Sequence, residues 1–418
     1  MNQKLPILSG VFGICGILES MEPTDTRERM FSRGAAVFFF FLTFVVLVRF
    51  LGPEQSLHID TSAHVSSNIA DPAVLPAFEQ GIAMHPSTDH IATPEPLRAI
   101  YLTGWSAGTP SRLSRTLKLF DDSVLNAVVI DIKDATGRLS YQPQDPELVS
   151  IGVGTNRIAS LARVIQTFHD RGIYVIGRIA VFQDPYFAER YPEEAFVDTR
   201  TGDIWRDYKG IAWLRPDSTR VREHVARIAH DAYAQGFDEI NVDYVRFPSD
   251  GELKYLDISD FASSRAQTME QFFEDLRGDL GGIPLSADVF GLTMSARDDV
   301  GIGQKAELIA PHVDALAPMV YPSHFWNGTY GIAVPAQQPY EVIKRSLSDG
   351  IAKLEAAGVD KRKLRPWLQD FDLLGISYTS DMVRAQIDAA AELGIDSWMM
   401  WDPANTYTPE VYKKIRNN

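Results

Sequence analysis

Asp243 and Asp288 each close a short apolar run, Glu239–Asp243 and Pro284–Asp288. If the two runs are neighbouring parallel strands, both carboxyl groups reach one rim. Side chains two apart in a strand face the same way, and Asn241 and Ser286 set the parity. Facing carboxyl groups are what glycosidic bond cleavage requires: one protonates the leaving oxygen, and the other attacks the anomeric carbon or activates water. Lys133, Arg178 and Arg246 would hold one carboxylate ionised, while burial would keep the other protonated. Arg246 has a second reading, a structural ion pair behind the site.

Other apolar runs end in chemistry-bearing residues as well. Asp131 and Lys133 end the second, Arg178 the third, Tyr321 the sixth, Trp367 and Gln369 the seventh, and Trp401 the eighth. Polar groups converging on one rim are expected to contact a ligand. Those expected to do so are Asp131, Lys133, Arg178, Asn241, Arg246, Tyr321, Gln369 and Trp401. Aromatic residues cluster near the same run ends: Trp205, Tyr208 and Trp213 between residues 182 and 216, and Tyr321, His324, Phe325 and Trp326 after the sixth run. Flat aromatic faces pack against the C–H faces of pyranose rings, so Trp205 and Trp213 join the expected sugar contacts. No His-x-His or comparable ligand pair ends a run, so neither a metal nor a cofactor is expected.

Eight runs carry these residues: Arg98–Thr103, Ala127–Asp131, Tyr174–Ile179, Glu239–Asp243, Pro284–Asp288, Ala315–Met319, Arg365–Gln369 and Ser397–Trp401. Amphipathic stretches lie between them at Asn156–Arg171, Asp217–Gln235, Phe261–Leu280, Tyr340–Ala357 and Asp381–Leu393. Gly172, Gly236, Gly281, Gly358 and Gly394 close these helices, as left-handed C-terminal caps require. Eight strand–helix units predict an α/β fold, a (β/α)8 TIM barrel. The alternative is a doubly wound open sheet. It would bring a glycine-rich phosphate loop after its first strand, which Thr103–Gly108 does not supply.

Phe237-Asp-Glu-Ile-Asn-Val-Asp-Tyr-Val-Arg-Phe-Pro248 resembles the strand-four motif of family 18 chitinases, in which three acids precede a catalytic Glu. Asp238 and Asp243 match the first and third acids, Asn241 replaces the second, and Val245 stands where the Glu would be. Met319-Val-Tyr321 and Trp401 resemble that family's strand-six and strand-eight motifs. Without the Glu, the chitinase mechanism does not carry over. A closer resemblance is to the bacterial family of putative glycosyl hydrolase domains. It rests on Ala99–Thr103, Val129–Asp134, Asn241–Pro248, Ala287–Gly291 and Pro318–Pro322, and it covers about residues 97–415. That resemblance implies a glycosidase-like TIM barrel without fixing a substrate. By likeness to retaining barrel glycosidases it implies Asp243 as nucleophile, with Asp288 as acid/base.

The 418 residues are 45% apolar and 23% charged, the balance of a globular protein. A net charge of −15 opposes a nucleic-acid partner, whose phosphates would be repelled. The one cysteine, Cys15, can build neither a disulfide framework nor a zinc site. Near the N-terminus, Ala35–Val48 is apolar apart from Thr43, and Arg27, Arg29 and Arg33 precede it. This pattern predicts a retained signal-anchor, with the N-terminus cytoplasmic and the remainder extracytoplasmic in a cell membrane. A buried core helix is the alternative. The expected organisation is a cytoplasmic tail (1–33), an anchor (34–51), a linker rich in Pro, Ser and Thr (52–96) and the barrel (97–415). The functional expectation is a glycosidase acting on a bacterial surface or extracellular polysaccharide. Its alternative is a non-catalytic, glycan-binding barrel.

Overall fold

The computed structural model of the protein describes residues 90–414 apart from residue 374. The apolar run at 35–48 and most of the expected linker lie outside the described residues. Among the described residues no helix is long and apolar enough to cross a membrane.

Eight parallel strands close into a barrel in chain order: β1 (Arg98–Leu102), β2 (Ala127–Lys133), β3 (Tyr174–Ala180), β4 (Glu239–Asp243), β5 (Leu285–Phe290), β6 (Ala315–Met319), β7 (Trp367–Gln369) and β8 (Trp398–Trp401). β8 pairs back onto β1, Ala99 opposite Met399, so the sheet has no open edge. The open-sheet alternative is thereby excluded. A helix follows each strand: α1 (Pro110–Phe120), α2 (Leu161–His169), α3 (Thr219–Ala234), α4 (Arg265–Leu280), α5 (Ala306–Ile309), α6 (Pro339–Ala356), α7 (Ser380–Glu392) and α8 (Pro409–Tyr412).

Local chemistry sets the helix starts. Ser264 accepts from the Gln267 amide while the Gln267 side chain reaches back to the Ser264 amide, so this capping box starts α4 at Arg265 rather than at Phe261. Upstream of α2, the Ile158 amide donates to the Ser140 carbonyl at 2.7 Å, which holds residues 156–160 out of the helix. Gly172, Gly236, Gly281, Gly358 and Gly394 all have positive φ, as the expected caps require.

Strand parity sorts the side chains into two layers. Ile100, Val128, Val175, Val242 and Leu368 face outward into the apolar layer beneath the helices. Ala99, Tyr101, Val129, Tyr174, Ile176, Ala317, Trp367 and Met399 fill the lumen. A polar column also runs through the lumen along β4 and β5. Arg365 Nη1 donates to Glu239 Oε1 at 2.7 Å, Ser286 Oγ to the same oxygen at 2.6 Å, and Asn241 Nδ2 to Ser286 Oγ at 3.1 Å. Buried polar groups are tolerable in a lumen when partnered in this way.

Residues 90–96, expected as linker, instead pack on the N-terminal end of the barrel. The Ile91 amide donates to Asp238 Oδ1 at 2.7 Å, Thr93 Oγ1 lies 3.0 Å from the Tyr174 hydroxyl, and His90 stacks on Tyr233 at 3.8 Å. A specific buried carboxylate holds this segment, which composition alone does not reveal.

Candidate active site

At the C-terminal ends of the strands lies a cleft of about 410 Å³. β4 and β5 run in register, Asn241 opposite Ser286 and Val242 opposite Ala287, so the next inward pair is Asp243 and Asp288. Both line the cleft with Arg178, Arg246, Tyr321 and Trp401. Arg178 is the hub. Its Nη1 meets Asp131 Oδ1 at 2.6 Å, its Nη2 meets Asp243 Oδ2 at 2.5 Å, and its Nε lies 3.8 Å from Asp288 Oδ2. The guanidinium also sits 5.1 Å from the centre of the Trp401 ring, which stacks on Tyr101 at 3.8 Å. The Tyr101 hydroxyl donates to the other oxygen of Asp131.

Asp243 and Asp288 occupy different environments. Asp243 accepts from Arg178 and, through Oδ1, from the Tyr244 amide at 2.6 Å. Asp288 is only 1% exposed. Its Oδ1 accepts from the Trp367 indole at 2.7 Å and from Asn241 Nδ2 at 2.9 Å. Among the described residues no donor serves Oδ2, the oxygen nearer Arg178. Burial first, and then the neighbouring charge of Asp243, push the Asp288 carboxyl well above the usual carboxylate range, against the opposing pull of Arg178. Burial likewise raises Asp131, with Arg178 opposing it. A carboxyl held by a guanidinium and a backbone amide thus stands beside one whose pKa burial raises.

The cleft wall after β6 is aromatic. Tyr321, His324, Phe325 and Trp326 all line it, with Trp326 51% exposed. Burial lowers the His324 pKa, which keeps that ring neutral. Tyr244, which also lines the cleft, has φ 54°, a left-handed bend directly after β4 that turns the chain away from strand geometry. Non-glycine residues in that region carry strain that the surrounding contacts must hold.

Six expected contacts do not line the cleft: Asp131, Lys133, Trp205, Trp213, Asn241 and Gln369. Lys133 is fully buried and pairs with Asp184 at 2.9 Å. A bulge between Asp131 and Lys133 sets Lys133 beside the outward residue Ile179, and this reverses the parity expected of it. Trp205 and Trp213 are 1% and 0% exposed, so neither presents a face to a sugar. The Trp213 indole donates to Asp207 Oδ2 at 3.0 Å, and Trp205 packs within the same long loop, its indole directed at the Glu252 carbonyl. Gln369 accepts from the Ser323 amide and hydroxyl and donates to the Phe371 carbonyl, tying down the loop after β6. Asn241 faces the lumen beneath Asp288 and reaches it from below. Sequence reasoning did not single out Tyr101, Tyr244, Trp367 or Phe290 as site residues. All four carried a signal: Trp367 as an inward residue near the end of β7, and Tyr101, Tyr244 and Phe290 as members of the motifs Ala99–Thr103, Asn241–Pro248 and Ala287–Gly291.

Among the described residues no group of three or more His, Cys, Asp or Glu is arranged to hold a metal ion. A family described as "Putative glycosyl hydrolase domain" matches residues 99–407. The chain belongs to that family. The match spans the whole barrel from β1 to the segment after β8. No curated protein matches the chain. A hypothetical protein from Ruminiclostridium thermocellum is 35% identical over 46% of this chain and 97% of its own, with a TM-score of 0.43. The glycoside hydrolase domain of PgaB (BpsB) from Bordetella bronchiseptica is 14% identical over 76% of this chain and 99% of its own, with a TM-score of 0.54. A variant of the PelA glycoside hydrolase domain from Pseudomonas aeruginosa is 14% identical over 74% and 96%, with a TM-score of 0.41. The PgaB likeness establishes the fold that this glycosyl hydrolase-domain member shares.

Proposed function

We propose that the protein is a glycoside hydrolase of a bacterial surface or extracellular polysaccharide, working through a carboxylate pair. Asp243 is the nucleophile and Asp288 the acid/base. The observation that carries this reading is the shared guanidinium: Arg178 contacts Asp243 directly and stands beside Asp288, at the floor of one cleft. Asp288 Oδ2, free of donors and on the carboxyl with the raised pKa, holds the transferable proton for the leaving oxygen. Asp243, its charge satisfied by Arg178 and a backbone amide, attacks the anomeric carbon. The aromatic wall after β6 supports a sugar ring. The arginines before the 35–48 run favour a membrane-tethered enzyme facing outward.

The test is chemical. Asp243→Asn and Asp288→Asn should each lower turnover on a natural glycan by roughly 100-fold or more while leaving the protein folded. An aryl glycoside with a good leaving group should partly restore Asp288→Asn, and azide should restore it further. The better leaving group should not help Asp243→Asn, which lacks the attacking group. Wild-type turnover by Asp243→Asn would overturn the assignment. A polysaccharide panel that yields binding but no cleavage would point instead to a glycan-binding barrel.

A further inference from the structure

Four cationic side chains are buried among the described residues: Lys133, Arg178, Arg246 and Arg365. Three are matched by carboxylates: Lys133 by Asp184 at 2.9 Å, Arg178 by Asp131 and Asp243, and Arg365 by Glu239 at 2.7 Å. Arg246 is 7% exposed and, among the described residues, has no carboxylate within 4.0 Å. Asp243, Asp250 and Asp207 act on it only from longer range. The structural ion pair expected as one reading of Arg246 is therefore absent.

The guanidinium is nevertheless fixed. Nη1 donates to the Phe247 carbonyl and to Ser249 Oγ, both at 3.1 Å. Aromatic rings surround it, with centres at 4.7 Å for Trp213, 4.9 Å for Phe290 and 5.4 Å for Tyr244. Among the described residues Nε and Nη2 have no hydrogen-bond partner, yet neither is sealed from solvent, and the residue lines the cleft. A charge taken out of water without a counterion is costly, and ring faces offset only part of that cost. A planar guanidinium held by one nitrogen, with its Nε–Nη2 edge left open, has the geometry of a bidentate carboxylate receptor.

We propose that Arg246 forms a subsite for an acidic sugar, its open edge receiving the carboxylate of a uronate-like unit. This rests on the carbohydrate reading of the cleft and adds that the polymer carries negative charge. The protein's overall charge of −15 does not oppose it, because surface charges are screened over about 8 Å at physiological ionic strength, whereas the Arg246 contact is local.

The experiment compares glucuronate with glucose on the full chain, by calorimetry and by tryptophan fluorescence, since Trp213 lies against the receptor. Glucuronate should bind on the order of tenfold tighter or better, the size of a charge-assisted hydrogen-bonded pair. Arg246→Met should bind the two sugars alike. Arg246→Lys, which keeps the charge but loses the planar fork, should retain a reduced preference. If Arg246→Met does not fold, the wild-type preference and its decline with added salt carry the test. Glucose 6-sulfate binding more tightly than glucuronate would overturn the uronate assignment and give the anionic subsite to sulfate. Equal affinity of wild type for glucuronate and glucose, no binding of glucuronate, or an unchanged preference in Arg246→Lys would overturn the proposal. Binding is read without cleavage, so an acidic preference in an inactive protein would sink only the hydrolase reading. Cleavage of neutral glycans without that preference would sink only the subsite.

Discussion

The Trp367 indole donates to Asp288 Oδ1 at 2.7 Å from β7, across the lumen from β5. With Asn241 donating to the same oxygen, the carboxyl is fixed in orientation and only Oδ2 is left for other chemistry. Trp367 thus positions the Asp288 carboxyl.

Trp367→Phe should keep the ring and lose the donor. That donor lowers the Asp288 pKa, so its loss should raise the pKa further and move the basic limb of the kcat/KM profile to higher pH. The profile on an activated aryl glycoside checks this. A purely structural tryptophan would change Tm and leave the limb in place.

Asp288→Asn makes a prediction about stability as well as turnover. The folded pKa of Asp288 lies above its unfolded value, so the folded state holds the extra proton. Stability from this group is complete below the unfolded value near 4 and falls as pH rises through the folded value. The amide cannot ionise. Asp288→Asn should therefore gain on wild type as pH rises, a trend read by urea denaturation from pH 4 to pH 9. A stability difference independent of pH would refute the buried, protonated carboxyl.

Much of this arrangement was legible in the sequence because it depends on periodicity alone. The run Glu239–Asp243 is β4 residue for residue, and parity brings Asp131, Arg178, Asp243 and Asp288 to one rim. Lys133 escaped because one extra residue in a strand reverses its face and leaves no mark in a period-two pattern. Trp205 and Trp213 escaped because exposure in a long loop is set by tertiary packing, and any sequence shows only that a tryptophan is present. The role of Trp367 depends on a distance across the lumen, between strands that are not neighbours in the sheet. The bend at Tyr244 was equally hidden, since tyrosine gives no signal for positive φ.

Arg178→Met should strand Asp131 and Asp243 without their cation. Removing one partner of a buried pair costs about 3–5 kcal/mol at neutral pH. Burial already raises Asp131 and Arg178 opposes that rise, so in the variant Asp131 should take up a proton more readily. The penalty should shrink as pH falls. Denaturation at pH 4.5 and pH 8 should show the larger deficit at pH 8, and equal deficits would contradict the hub role of Arg178.

Lys133→Met separates a packing role from a substrate contact. Lys133 lies outside the lumen, paired with Asp184, and His224 Nε2 stands 3.7 Å from the same carboxylate. Burial works against the Asp184 charge, but Lys133 and His224 together hold its pKa below the ordinary carboxylate value. Their contribution to stability is therefore present above the unfolded value near 4 and is lost as pH falls through the depressed folded value. Replacing Lys133 leaves the Asp184 carboxylate buried beside a neutral thioether, which should cost about 3–5 kcal/mol at neutral pH. That deficit should narrow on acidification, when Asp184 can be neutralised. The molecules that remain folded should keep wild-type kcat and KM, because the Lys133 ammonium does not line the cleft. Denaturation curves and steady-state kinetics on one preparation decide the matter. A raised KM with unchanged stability would restore Lys133 to the substrate contacts and overturn the face reversal at the β2 bulge.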